Sequence, residues 1–172
     1  MVLVAVAVRP TETAAAREQA RLCEKLTGEE SLAACHHALD LGLGAERLGP
    51  VRQIVARRLA SLGRWEDLAS HFRVDAVLQP LDGEVRLRLG STLLFALGRP
   101  EEAVGELTEA VRLTPDSALA WAALASAQGA SGHPKDAAEG FAAALRLDEH
   151  LLDDRPAMRA AFEAAQRGEP WP

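Results

Sequence analysis

Three short stretches of the chain spell one phrase at a near-constant interval. Gly63-Arg64-Trp65-Glu66-Asp67-Leu68 is followed 35 residues on by Gly98-Arg99-Pro100-Glu101-Glu102-Ala103, and 34 residues after that by Gly132-His133-Pro134-Lys135-Asp136-Ala137. The same shifts carry Phe72 to Leu107 to Phe141, Pro80 to Pro115, and Val55-Ala56 to Leu89-Gly90 to Leu124-Ala125. A period of this size marks a supersecondary unit that cannot bury its apolar face alone, so stacked neighbours must build a shared core. For a chain of 172 residues the outcome is a short repeat array and not a multidomain enzyme.

Each unit reads as two helices. In the last, Trp121, Leu124, Ala125 and Gln128 recur at three- and four-residue steps and mark one face of a helix over about 117–130. Asp116 and Ser117 are natural N-caps, and Pro115 stops what precedes them. Gly132 supplies a left-handed C-terminal turn, and Pro134 suits a first helical turn that needs no N–H, so a second helix runs from Pro134 to Leu147 with Ala137, Phe141 and Ala144 on its inner face. Pro156 opens a further helix to about Arg167, with Met158, Ala161, Phe162 and Ala165 along one side. Composition agrees: Ala and Leu abound, Ile54 is the one Ile, and aromatics are 4% of the chain, so strand formers are scarce and the expectation is all-α. The absence of Asn and Tyr, with Arg far outnumbering Lys, is the codon bias of a GC-rich genome and points to a bacterial source.

The units resemble tetratricopeptide repeats, whose pattern is Trp-x2-Leu-Gly-x2-Tyr, then Ala-x3-Phe, then Ala and Pro. The chain offers Trp121-x2-Leu124-Ala125 with Ala137-x3-Phe141-x2-Ala144; Leu89-Gly90-x2-Leu93 with Ala103-x3-Leu107-x2-Ala110 and Pro115; and Val55-Ala56-x2-Leu59 with Leu68-x3-Phe72 and Pro80. Repeats are set at 49–82, 83–117 and 118–151, the middle one carrying an extra residue in its turn, with a degenerate hairpin at 16–48 and a capping helix and tail at 152–172. Asp75 stands where the other units have Ala110 and Ala144, Gln128 replaces an aromatic, and Glu149 replaces the closing Pro.

This resemblance implies a right-handed α-solenoid that binds a protein or peptide, with an acidic segment favoured, in a concave groove. Carried over, the groove shows Gln53, Ile54 and Arg57, then Leu87, Arg88, Ser91 and Leu94, then Ala122, Ala123 and Ser126, with Arg17 and Arg21 from the degenerate hairpin. Arg57 and Arg88 suit a carboxylate, or else pair with a neighbouring Glu. The family's clamp for a C-terminal carboxylate needs Asn, which this chain lacks.

Cys23 and Cys35 lie twelve residues apart across a tight turn, on helices that run antiparallel. In an oxidising compartment they form a disulfide; in a reducing one they are small core residues. Residues 1–15, apolar from Val2 to Val8, are an arm packed on the first helices or the tail of a signal sequence. The cytoplasm and a bacterial periplasm or envelope both stay open.

Nothing in the sequence assembles an enzyme, a cofactor site or a metal site. Cys35-His36-His37 places neighbouring side chains about 100° apart on a helix, which prevents a working Cys–His pair. His36 and Asp40 lack a third ligand at helical spacing, and Gly42-Leu43-Gly44 has Arg47 where a dinucleotide fingerprint needs Gly, so it reads as a linker. A net charge of -6 argues against nucleic acid, and no apolar run is long enough to span a membrane. The expectation is a protein-interaction module; the competing class is a thiol-redox regulator using Cys23 and Cys35.

Overall fold

The computed structural model describes residues 12–169; the apolar stretch Val2–Val8 and Trp171 lie outside them. Among the described residues nine α-helices and one π turn follow in order: α1 (Ala14–Lys25), α2 (Gly28–Asp40), α3 (Ala45–Ser61), α4 (Trp65–Leu78), α5 (Gly83–Ser91) continuing into the π turn (Thr92–Ala96), α6 (Pro100–Leu113), α7 (Ala118–Ala130), α8 (Pro134–Leu147) and α9 (Pro156–Arg167). Among the described residues there is no strand. The chain divides into two compact units, Met1–Arg64 and Trp65–Pro172.

In the first unit, α1 and α2 form an antiparallel hairpin and α3 packs on both. Thr13 caps α1, its hydroxyl accepting from the Ala16 N–H at 3.0 Å. Cys23 and Cys35 are joined in a disulfide with Cα atoms 4.7 Å apart, and neither has accessible surface. Arg58 of α3 fastens the turn end of the hairpin. Its Nε donates to Ser31 Oγ (3.1 Å) and its Nη2 to the Leu26 carbonyl (2.9 Å), while Ser31 Oγ donates to the Cys23 carbonyl at 2.7 Å. A cation thus sits on the carbonyls that end α1, where the helix dipole is negative. α3 begins four residues ahead of the boundary that the period places at 49, because Pro50 inside it removes only one helical N–H and the helix runs through.

In the second unit, the helices α7, α8 and α9 keep the bounds read from their punctuation. Ser117 Oγ accepts from the Ala120 N–H at 3.2 Å, Gly132 takes φ +82°, and Pro134 and Pro156 open α8 and α9. Ala137, Phe141 and Ala144 are fully buried, and Phe141 meets Phe162 of α9 edge-on at 5.5 Å. A Cβ built on Gly140 would stand 2.9 Å from the Ala125 Cβ, so α7 and α8 touch through a glycine. In the α5–α6 pair the bulk is reversed: a Cβ on Gly90 would fall 2.5 Å from Leu107 Cγ. Both crossings therefore depend on a glycine for close approach.

The extra residue of the middle unit is in the helix, not in the turn where the sequence reading puts it. Gly90 matches Ala125 at a shift of 35, but Gly98 matches Gly132 at 34, so the surplus falls between Gly90 and Gly98. There the backbone widens: the Leu97 N–H reaches back to the Thr92 carbonyl at 3.1 Å, the bond of a π turn. The closing bond from Arg99 N–H spans six residues to Leu93, whereas in the last unit the His133 N–H spans five to Gln128.

Asp75, the departure from the small-residue pattern, is buried in α4 with His71 one turn earlier, His71 Nε2 lying 3.4 Å from Asp75 Oδ2. Truncating one partner of such a pair leaves buried polarity less well satisfied. His71→Ala is expected to cost about 1–3 kcal/mol in urea unfolding, whereas the apolar replacement His71→Leu/Asp75→Ala should be close to neutral. An equal loss from both variants would show that volume, not polarity, sets the cost.

Candidate functional site

Charge is divided unequally between the two units. Residues 1–64 carry nine basic and seven acidic side chains, +2, while residues 65–172 carry ten and eighteen, −8. Exposed basic groups in the second unit are largely taken up: Arg73 by Glu102, Arg86 by Glu106, Arg88 by Glu84 and Arg99 by Glu66. Cationic surface able to meet an outside anion is therefore sought in the first unit.

It lies along α1 and α3, which contact each other. Arg17 and Arg21 project one turn apart from α1, and with Ala14 and Arg47 of α3 they line a cavity of about 350 Å³. A second cavity, of about 340 Å³, is lined by Glu24 of α1 and by Ile54, Arg57 and Arg58 of α3. Arg21 is engaged by Glu18, and Arg47 by Glu12 at 3.2 Å. The Arg21–Glu18 pair is exposed, worth at most about 1 kcal/mol, and an incoming carboxylate can replace it at little cost, whereas Glu12 is largely buried and holds Arg47 in place. The Arg17 and Arg57 side chains have no hydrogen-bond or ion-pair partner among the described residues. Arg58, held by Ser31 and Leu26, is a fixed wall of the second cavity, in which Glu24 is the one acidic lining residue against two arginines.

Of the residues proposed from sequence, Gln53 and Arg57 are exposed, and Ile54 and Arg57 share one cavity. The others fall in the second unit and differ in character. Arg88 Nε is bound to Glu84 Oε1 at 2.9 Å, one helical turn away, and Ser91 is half-buried. Leu87 and Leu94 are buried, and Ala122, Ala123 and Ser126 have 0% exposure. These last five serve the core and offer a partner almost no surface, and Ser126 Oγ turns back to donate to the Ala122 carbonyl at 2.8 Å. Sequence reasoning missed Arg47, which it placed in a linker because α3 starts earlier than the period suggests. It also missed Glu24 and Arg58, whose roles depend on how α1 and α3 meet.

Among the described residues no three His, Cys, Asp or Glu side chains gather to hold a metal, and no helix is long and apolar enough to cross a membrane.

A family model described as tetratricopeptide repeat matches residues 83–127. No curated protein matches the chain. Among solved structures, YrrB, a TPR protein with an unusual peptide-binding site, is similar at TM-score 0.64 and 19% identity over 88% of this chain and 73% of that one. The Yersinia enterocolitica type III secretion chaperone SycD, solved with a peptide of the translocator YopD, is similar at 0.61 and 18% identity over 72% and 95%. PcrH, solved with the chaperone-binding region of PopD, is similar at 0.56 and 21% identity over 73% and 90%. With the periodic motifs, the match at 83–127 and these likenesses of fold, the chain is a protein of the tetratricopeptide-repeat fold.

Proposed function

We propose that the protein is a non-enzymatic interaction module that binds an acidic, partly apolar peptide segment along α1 and α3. The observation that carries this reading is the pair of unpartnered guanidiniums, Arg17 and Arg57, each facing its own cavity on one face of the first unit. Arginine left without an internal carboxylate, beside an apolar wall such as Ile54, is the chemistry that receives an Asp or Glu side chain in a forked geometry. YrrB has an unusual peptide-binding site, SycD was solved with a peptide of YopD and PcrH with the chaperone-binding region of PopD, and this supports the same reading by likeness of fold.

The test uses a fluorescein-labelled peptide of alternating Glu and Leu, followed by anisotropy, against the wild type and Arg17→Glu/Arg57→Glu. Binding should weaken at least tenfold in the variant, about 1.4 kcal/mol, and should fall with added salt. Both substitutions are at exposed positions, and circular dichroism checks the fold. Equal binding by the two proteins, or equal binding of a Gln-for-Glu peptide, would remove the proposal. Affinity capture from the native host with the same two proteins then identifies the physiological partner as the one lost with the variant.

A further inference from the structure

We infer that the α7–α8 hairpin carries a second, polar-ended docking groove, which receives an amphipathic helix bearing an acidic residue in its first turn and a basic residue two turns later. A cavity of about 360 Å³ runs along the seam of these helices and is lined only by their side chains. Its floor is Leu124 and Ala143, and its charged rim is Asp136, Glu139 and Arg146. None of these three charged side chains has a hydrogen-bond or ion-pair partner among the described residues, in a unit where Arg73, Arg86, Arg88, Arg99 and Arg112 are all paired with carboxylates. Arg146 thus shares with Arg17 and Arg57 the condition of an unengaged arginine facing a cavity.

The ends of the groove differ in sign. Gly140 packs against Ala125, which fixes the antiparallel register and sets Trp121 beside the Arg146 end, with Asp136 and Glu139 at the opposite end. Glu139 and Arg146 are seven residues apart, about 10 Å along α8. The Trp121 ring cannot swing freely, since its Nε1 donates to the Pro115 carbonyl at 2.9 Å, and it makes a fixed apolar shoulder next to the guanidinium.

A partner helix presents residues i, i+3, i+4 and i+7 on one face, the same 10 Å from first to last. An acidic residue at i meeting Arg146, small or apolar residues at i+3 and i+4 on Leu124 and Ala143, and a basic residue at i+7 meeting Asp136 and Glu139 fill the groove. The order follows from dipoles. Acid near the N-terminus and base near the C-terminus suit the partner's own helix, and they orient it antiparallel to α8.

Two Ala-rich, labelled, end-blocked peptides of identical composition test this, one with Glu at i, Leu at i+4 and Arg at i+7, the other with Glu and Arg exchanged. By anisotropy the first should bind at least fivefold more tightly to the wild type, and Glu139→Arg/Arg146→Glu should reverse the preference. Arg17→Glu/Arg57→Glu should bind both peptides as the wild type does, since the groove is independent of the cavities on α1 and α3. Lack of preference, an unreversed preference, absence of binding by both peptides, or loss of binding in Arg17→Glu/Arg57→Glu would each overturn the inference.

Discussion

Excess dithiothreitol is expected to lower the stability of residues 12–64 by about 3 kcal/mol, the value for freeing a loop closed over a twelve-residue separation. Amide exchange should quicken by about two orders of magnitude in α1 and α2 and stay unchanged in α5 to α8. Cys23→Ala/Cys35→Ala should behave like the reduced protein without reductant. Both sulfurs are held in the disulfide and neither is a free thiol, so alkylation of the native, unreduced protein should label neither cysteine. The effect reaches the proposed binding face through named atoms: Ser31 stands between the Cys23 carbonyl and Arg58, and Arg58 walls the cavity that holds Arg57. Reduction should therefore weaken the acidic peptide as well. Unchanged exchange in α1–α2 would mean that packing by α3 alone holds the hairpin.

The second large effect is at the helix crossings. Ala125→Leu would push a side chain into the space that Gly140 leaves open for a methyl group only, at about 1–3 kcal/mol or a fall of roughly 2–12 °C in melting temperature. Gly90→Ala sets two effects against each other. Helix propensity favours Ala by up to about 1 kcal/mol, but the new Cβ would lie 2.5 Å from Leu107 Cγ and 2.8 Å from its Cδ2, and Leu107 has no free space to move into. Overpacking wins, and a net loss of about 1–2 kcal/mol is expected. Gly105→Ala supplies the opposite sign. It lies in the interior of α6 with nothing within 4 Å of the new Cβ, so only the propensity gain applies, about 0.5–1 kcal/mol of stabilisation. A loss at Gly105 as large as that at Gly90 would show that the crossings are not the cause.

Residues that act on their own backbone were legible in the sequence. Pro134 and Pro156 at first helical turns, Gly132 at a left-handed turn and Ser117 as a cap each do their work within one turn, so α7, α8 and α9 could be bounded without a structure. Residues whose role depends on a neighbour were not. Gly49-Pro50 looks like a break, yet α3 continues through it because packing on α1 and α2 outweighs one lost hydrogen bond. Ala122, Ala123 and Ser126 occupy groove-facing positions in the repeat pattern, but their small size lets other chain segments cover them. Arg88 lay one turn after Glu84, and that spacing already offered the ion pair as an alternative to a ligand site. Asp75 stood out as an exception to the small-residue rule, and His71 four residues before it was the available explanation.

The wide turn at Thr92–Ala96 has a consequence for how such an array ages by insertion and deletion. One added residue in a continuous helix would rotate everything after it by about 100° and turn the buried face of α6 toward water. Here the widening absorbs that rotation within five residues, and Ala103, Leu107 and Ala110 are fully buried as their counterparts Ala137, Phe141 and Ala144 are. The spatial period is kept while the count along the chain slips by one. A search that demands constant spacing therefore undercounts repeats of this kind, whereas a search on the residues at the crossings does not.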